Sequence, residues 1–243
     1  MAIPPPSPSA AATSPGPRCT LSGRMGRQLS VAPGETQPAV KQSSKDRRVE
    51  SHPFQPFLPT GARMLFLGSF PPQPHRWCMP FYYPNWINDF WRIMGLVHFG
   101  DKDHFCIPAE KRFDETMIRN FCTEKGLAFY DTACEVRRLK DNASDAFLEV
   151  VTPTDIPALL TRIPDCRDLI TTGEKATGIV TKFFGCPTPA VGEYIEIDGR
   201  LRFWRMPSTS RAYPLPLERK AEFYRRIFLP LHSPWPDSTC LKS

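Results

Sequence analysis

No stretch of this 243-residue chain stays apolar for the ~20 residues a membrane-crossing helix needs, and the N-terminus lacks the apolar core of a secretory signal. Nor does any C-x-x-C pair occur among the cysteines at 19, 78, 106, 122, 134, 166, 186 and 240. Thiols scattered in this way argue against a zinc site or a disulfide framework. They suit reduced, buried side chains in an intracellular, cytoplasmic protein, and an iron–sulfur cluster would need four of them to converge from distant positions. A P-loop is missing, because no lysine followed by serine or threonine comes after a spaced glycine pair, and there is no G-x-G-x-x-G. Those two absences argue against nucleotide hydrolysis and dinucleotide cofactors. Internal repeats are also absent.

Acidic residues are scarce at the start, with none before Glu35. Residues 1–51 are rich in Pro, Ser, Ala and Arg, a composition that cannot bury a core and reads as a disordered extension. A low-acid, Arg- and Ser-containing leader also resembles an organelle transit peptide, and a dispensable upstream extension fits equally well. The formal charge is +6, and seven basic residues against Glu35, Asp46 and Glu50 put most of it in residues 1–55. The remaining body is only mildly positive, which is compatible with a polyanionic partner without requiring one. The folded domain is expected over residues 52–232, with a flexible tail over 233–243.

What is present begins with MLFLG, residues 64–68, a short apolar run of the kind that forms a buried strand. It opens at Gly68 and Ser69 into a loop dense in proline and aromatic residues, and a helix follows over about residues 88–97. Asp114 is a plausible N-cap for a helix that runs to Lys125 and stops at Gly126. LAFYD (127–131) and DLITT (168–172) read as further strands, and helices follow from Thr154 or Asp155 to Ile163 and from Gly173 through Phe184. Residues 132–149 look polar and irregular. Residues 194–198 and 201–205, joined by Asp198 and Gly199, read as a hairpin feeding Met206 and Pro207, and residues 217–229 as a closing amphipathic helix. Strands alternating with helices imply an α/β fold, with a mostly parallel sheet covered on both faces. Loops leaving strand carboxyl ends after Gly68, Asp131, Thr172 and Met206 should meet at one sheet edge, where such folds bind ligands.

The first of these loops has no Asp, Glu, His or Lys before His75. It offers backbone N–H groups, the rigid Pro71-Pro72, and the flat side chains of Trp77, Phe81, Tyr82, Tyr83 and Trp86. Aromatics beside backbone donors suit a planar, hydrogen-bonding ligand such as a nucleobase, and equally suit plain core packing. Asn88 and Asp131 have structural readings of their own as helix or turn caps. Arg137 and Arg138 could contact phosphates or form a solvated face.

Taken in order, GSFPP, FYYPNWINDFW, GLAFYDTACEVRR, ITTGEKA and MPSTSRAYP resemble the uracil-DNA glycosylase superfamily, and within it the hypoxanthine (deoxyinosine) DNA glycosylase-like branch. The resemblance spans about residues 54–231. It implies a three-layer α/β/α sandwich around a short, mostly parallel central sheet. It also implies a monomeric, monofunctional DNA glycosylase of base excision repair, working without a metal or an organic cofactor. Such an enzyme flips out a deaminated base (uracil, hypoxanthine or xanthine) and hydrolyses its N-glycosidic bond. Ser69 and Phe70 stand where many relatives carry the Asp or Asn that positions water. In the hypoxanthine-type branch an Asn before a Phe-Trp pair takes that task, and Asn88 falls there, with Asp89 as the rival base.

The resemblance further assigns base binding to Gly68, Ser69 and Phe70, to a stacking wall from Phe81, Tyr82 and Tyr83, and to Asp131 at the base edge. Pro207, Ser208, Thr209, Ser210 and Arg211 would hold the DNA backbone, and Tyr213 would wedge into the space the base leaves. Met206 replaces the His of several relatives, which weighs against efficient uracil excision. With no lysine nucleophile in these loops, lyase activity is not expected. Two other readings remain: a non-catalytic damaged-DNA-binding module on the same fold, and an α/β enzyme acting on a small nucleoside.

Overall fold

The computed structural model describes residues 48–140 and 147–229, so the expected extension up to residue 47, and the expected tail, lie outside the described residues. Its strands are β1 (Val49–Ser51), β2 (Met64–Gly68), β3 (Cys106–Ile107), β4 (Arg112–Phe113), β5 (Leu127–Asp131), β6 (Ala133–Arg138), β7 (Leu148–Pro153), β8 (Asp168–Thr172), β9 (Glu193–Ile197) and β10 (Leu201–Met206). Its α-helices are α1 (Phe90–Phe99), α2 (Glu115–Lys125), α3 (Ile156–Arg162), α4 (Glu174–Phe184) and α5 (Leu217–Phe228).

The central sheet has the order β5-β2-β8-β10-β9, and only the edge strand β9 runs antiparallel to its neighbour. Every residue of β5 and β8 is buried, and so are the last four of β2, because helices flank the sheet and leave neither face to solvent. That is why these strands read as continuous apolar runs rather than alternations. Phe129 of β5 anchors the aromatic core, stacked against Phe66 at 5.3 Å and Tyr82 at 5.7 Å. The chain leaves β2 to build β5 on one side, then returns to build β8 on the other. This reversal opens a crevice beyond the strand carboxyl ends.

Capping sets the helix boundaries as the sequence implies. Asp114 accepts a 2.9 Å bond from the Met117 N–H, and Asp155 one of 3.0 Å from Ala158. Helix α2 ends at Gly126 with φ +65°, a conformation that favours glycine and satisfies the last carbonyls. Helix α1 starts two residues later than the pattern suggests, because Asn88 and Asp89 precede its first turn rather than joining it.

Two expectations change. The stretch expected to be irregular over 132–149 holds strands where it is described, residues 141–146 lying outside the described residues: β6 and β7 pair antiparallel and, with β1, form a second sheet of order β1-β6-β7. Register shifts around Glu135 break the alternation of inward and outward residues, which hides the strand in the sequence. Phe70, Ala133, Val136 and Leu148 form a small apolar cluster of their own. The folded body also starts earlier than residue 52, since Val49, Glu50 and Ser51 pair with Arg137, Val136 and Glu135.

Candidate active site

The carboxyl ends of β2, β5, β8 and β10 converge on a cavity of about 480 Å³, within the range that holds a small planar ligand. Residues 68–72 line it from β2, Asp131 from β5, Thr172 from β8 and residues 208–212 from beyond β10. Phe54, Tyr82, Tyr83, Asn85, Ile87 and Asn88 complete the wall, with the exposed Arg76 and Arg211 beside them.

The aromatic residues divide. Tyr83 lies flat on Phe90 with ring centres 3.9 Å apart and shares a 2.7 Å hydrogen bond between its hydroxyl and Thr172 Oγ1. Its backbone is left-handed, at φ +52°, which turns the chain sharply between the flanking residues. Tyr82 also lines the cavity, although it is buried and donates its hydroxyl to the Gln55 carbonyl at 2.9 Å. Burial, with a smaller contribution from the Asp131 charge, raises its phenol well above the usual range. Phe70 reaches the cavity and packs edge-on against His52 at 5.2 Å. Phe81, expected in the stacking wall, is a core residue instead: it is 2 % exposed and lies under the Arg119 guanidinium at 4.2 Å.

Asn88 and Asp89 also separate. The Asn88 side chain lines the cavity, and its Oδ1 accepts a 2.9 Å bond from the Phe90 N–H. The N-cap of α1 is Asp89 rather than Asn88, but this two-residue turn bond fixes the Asn88 amide plane while the second lone pair of Oδ1 remains. Asp89 is not among the residues lining the cavity. The carboxylate of this expected general base pairs instead with the buried Lys220 at 2.8 Å and with Arg211 at 3.5 Å.

The loop after β10 is held by that same pair. Asp89 N–H donates to the Thr209 carbonyl at 2.9 Å, and Lys220 Nζ donates to the Ser210 carbonyl at 2.8 Å. Ser208, Thr209, Ser210 and Arg211 line the cavity. Pro207 does not; it is buried, with its carbonyl accepting from the Tyr224 hydroxyl at 2.9 Å. Nor does Tyr213, which is half-buried, its N–H donating to the Ser210 carbonyl at 3.0 Å.

Asp131 has a partner that the sequence did not indicate. His52 Nε2 lies 3.0 Å from Asp131 Oδ2, and the His52 side chain is 2 % exposed. Asp131 also faces Gly68 across the parallel register, where a Cβ would lie 2.4 Å from Asp131 Oδ1. Glycine is therefore required at 68 for the carboxylate to occupy this position. Arg138 is neither a phosphate contact nor a solvated residue: it is buried, pairs with Glu50 at 2.9 Å and donates to the Pro71 carbonyl at 2.6 Å. In this way the second sheet supports the cavity loop from behind. Arg137 pairs with Glu149 at 3.2 Å.

Sequence reasoning missed His52, Phe54, Arg76, Thr172 and Lys220. Thr172 alone had a local signal, as the last residue of a buried strand. Among the described residues, no three His, Cys, Asp or Glu side chains converge as a metal site would require.

No family model matches the chain, and no curated protein matches it. Among solved structures it is similar to the solution NMR structure of a candidate uracil DNA glycosylase from Methanosarcina acetivorans, with a TM-score of 0.50 at 19% identity. That similarity covers 74% of this chain and 97% of the other. At this identity the likeness shows a shared fold, a uracil-DNA glycosylase-like α/β architecture.

Proposed function

We propose that the protein is a monofunctional DNA glycosylase of base excision repair that releases a deaminated base. The observation that carries this reading is the joint placement of Asn88 and Asp131 in one aromatic-walled cavity at the sheet's carboxyl edge. The fold likeness supports it.

In this reading an extruded nucleotide enters the cavity, with its base against Phe70 and Tyr83 and its edge toward Asp131. The C1′–N bond breaks with its electron pair leaving on the base. The hydroxyl of a water molecule adds to C1′, and that water's second proton goes to solvent or to the departing base. The sugar is cation-like at the transition state, so a strong base is not needed. A water placed by the Asn88 amide, in a site whose dipoles are already oriented, is sufficient. Ser208, Ser210, Arg211 and Arg76 supply hydroxyls and positive charge for the flanking phosphates. Among the described residues no lysine lines the cavity, so release of the base is expected to leave an intact abasic sugar rather than a cleaved strand.

The test is a panel of duplexes carrying uracil, hypoxanthine or xanthine, scored for abasic product. Release of at least one, lost by about 10²-fold or more in Asn88→Ala, is expected for a water-positioning group. No release from any of them overturns the proposal, and tight binding without release would identify a damage-binding module instead.

A further inference from the structure

Resting on the glycosylase reading, the geometry points to His52 as a positioning residue that locks Asp131 as an acceptor-only reader of a base's ring N–H. His52 lies 79 residues before Asp131 in the chain and outside the cavity-lining set.

Both oxygens of Asp131 are constrained. Oδ2 faces His52 Nε2 at 3.0 Å, and Oδ1 lies over the Gly68 Cα, in space a Cβ would fill. The imidazole is itself fixed. Its Nδ1 lies 3.1 Å from the Phe54 N–H and 2.8 Å from the Phe54 carbonyl, and its ring packs between Phe70 at 5.2 Å and Tyr130 at 4.7 Å. With Asp131 ionised, Nε2 must carry the proton, since a carboxylate at this distance only accepts. The charge is then shared with a buried donor, and the oxygen over Gly68 is left to a ligand.

An acceptor there selects by chemistry. Hypoxanthine presents N1–H and uracil presents N3–H, whereas xanthine and its parent guanine both present N1–H and are not told apart in this way. Adenine N1 and cytosine N3 present lone pairs that a carboxylate repels. A reader that could rotate would lose this distinction. The His52 contact holds Oδ2 in place, so discrimination of hypoxanthine from adenine and of uracil from cytosine depends on a residue beyond contact with the base. Rejection of an analogue lacking the N–H follows from the unpaired, desolvated oxygen it leaves.

Two substitutions separate the donor from the ring. His52→Gln keeps an N–H donor and loses the ring; His52→Phe keeps the ring packing and loses the donor. Excision is measured on duplexes with uracil, hypoxanthine and xanthine, and on matched duplexes with N3-methyluracil and N1-methylhypoxanthine, whose ring N–H is replaced by methyl. Wild type should prefer the unmethylated bases. His52→Gln should keep that preference, while His52→Phe loses about 10- to 100-fold in kcat/KM on unmethylated bases and its preference over the methylated ones collapses. The reverse order, loss in both variants by misfolding or otherwise, or an unchanged preference in both overturns the assignment while leaving the glycosylase reading intact. A wild type that releases no base from any duplex overturns both.

Discussion

Lys220 Nζ lies 2.8 Å from Asp89 Oδ2, with the two side chains only 1 % and 8 % exposed. The pair joins the start of α1 to α5 and, through the Ser210 carbonyl, to the loop that lines one side of the cavity. Removing one member of such a pair leaves an uncompensated buried charge. Lys220→Met should therefore cost about 3–5 kcal/mol in denaturant unfolding, and adding Asp89→Asn to it should recover part of the loss. A Lys220→Met chain as stable as wild type would show that the pair does not form.

Arg211 adds a longer contact to Asp89, at 3.5 Å with its own side chain 54 % exposed, and an exposed pair of this kind contributes little. Arg211→Ala should leave the unfolding midpoint unchanged. In DNA binding it should reduce the slope of log K against log salt by about 1, as the loss of one phosphate contact does. An unchanged slope would remove Arg211 from the DNA interface.

Gly68 tests the geometry at Asp131 from the opposite strand. Its added Cβ would lie 2.4 Å from Oδ1, so Gly68→Ala must push the carboxylate aside and away from His52. The displaced atom ends a side chain, so the fold should tolerate the change, whereas misplacing the reader by about 1 Å should cost on the order of 10²-fold in kcat/KM. Retained activity with a lowered Tm would reverse that assignment.

Ile87 is 51 % exposed at the cavity rim, beside Asn88, an unusual place for a large apolar side chain. Tyr213 does not line the cavity, so under the proposed function Ile87 is expected to be the wedge that fills the gap an extruded base leaves in a duplex. Ile87→Ala should weaken binding to lesion-bearing duplex more than to the same lesion in a single strand, with stability changed by less than about 0.5 kcal/mol. Equal losses on both substrates would argue against a wedge.

His98 sets an acid limit. Burial, helped by the Lys125 charge, lowers its pKa from 6.5 to about 4, and its buried Nε2 has no hydrogen-bond partner among the described residues. The folded state holds His98 neutral, whereas the unfolded chain takes up a proton near pH 6.5. Stability should therefore fall as pH drops from about 6.5 toward 4, and the contribution should level off below that. His98→Phe keeps the contacts with Phe121 and Phe228 and should flatten this part of the profile in urea unfolding. An unflattened profile would place the sensitivity elsewhere.

Much of the fold was legible because its signals are local. Buried parallel strands are short apolar runs, and Asp114, Asp155 and Gly126 are caps whose chemistry acts within one helical turn. The convergence of four strand ends follows from alternation and handedness. The second sheet was not legible, because the irregular register around Glu135 disrupts the period by which a strand is read.

The sequence by itself determined the α/β class, most element boundaries, and a candidate site that includes Gly68, Phe70, Tyr83, Asn88, Asp131 and residues 208–211. Tertiary structure decided how the roles divide. Asn88 and Asp89 are adjacent in the chain, yet one lines the cavity and the other closes an ion pair with a lysine 131 residues away. Phe81 went to the core and Tyr83 to the wall, and His52 reached Asp131 only through the pairing of β1 with β6. The physical reason is common to all three. Periodicity and capping act between neighbours and mark the sequence, whereas a contact between residues far apart is fixed by packing and leaves no local trace.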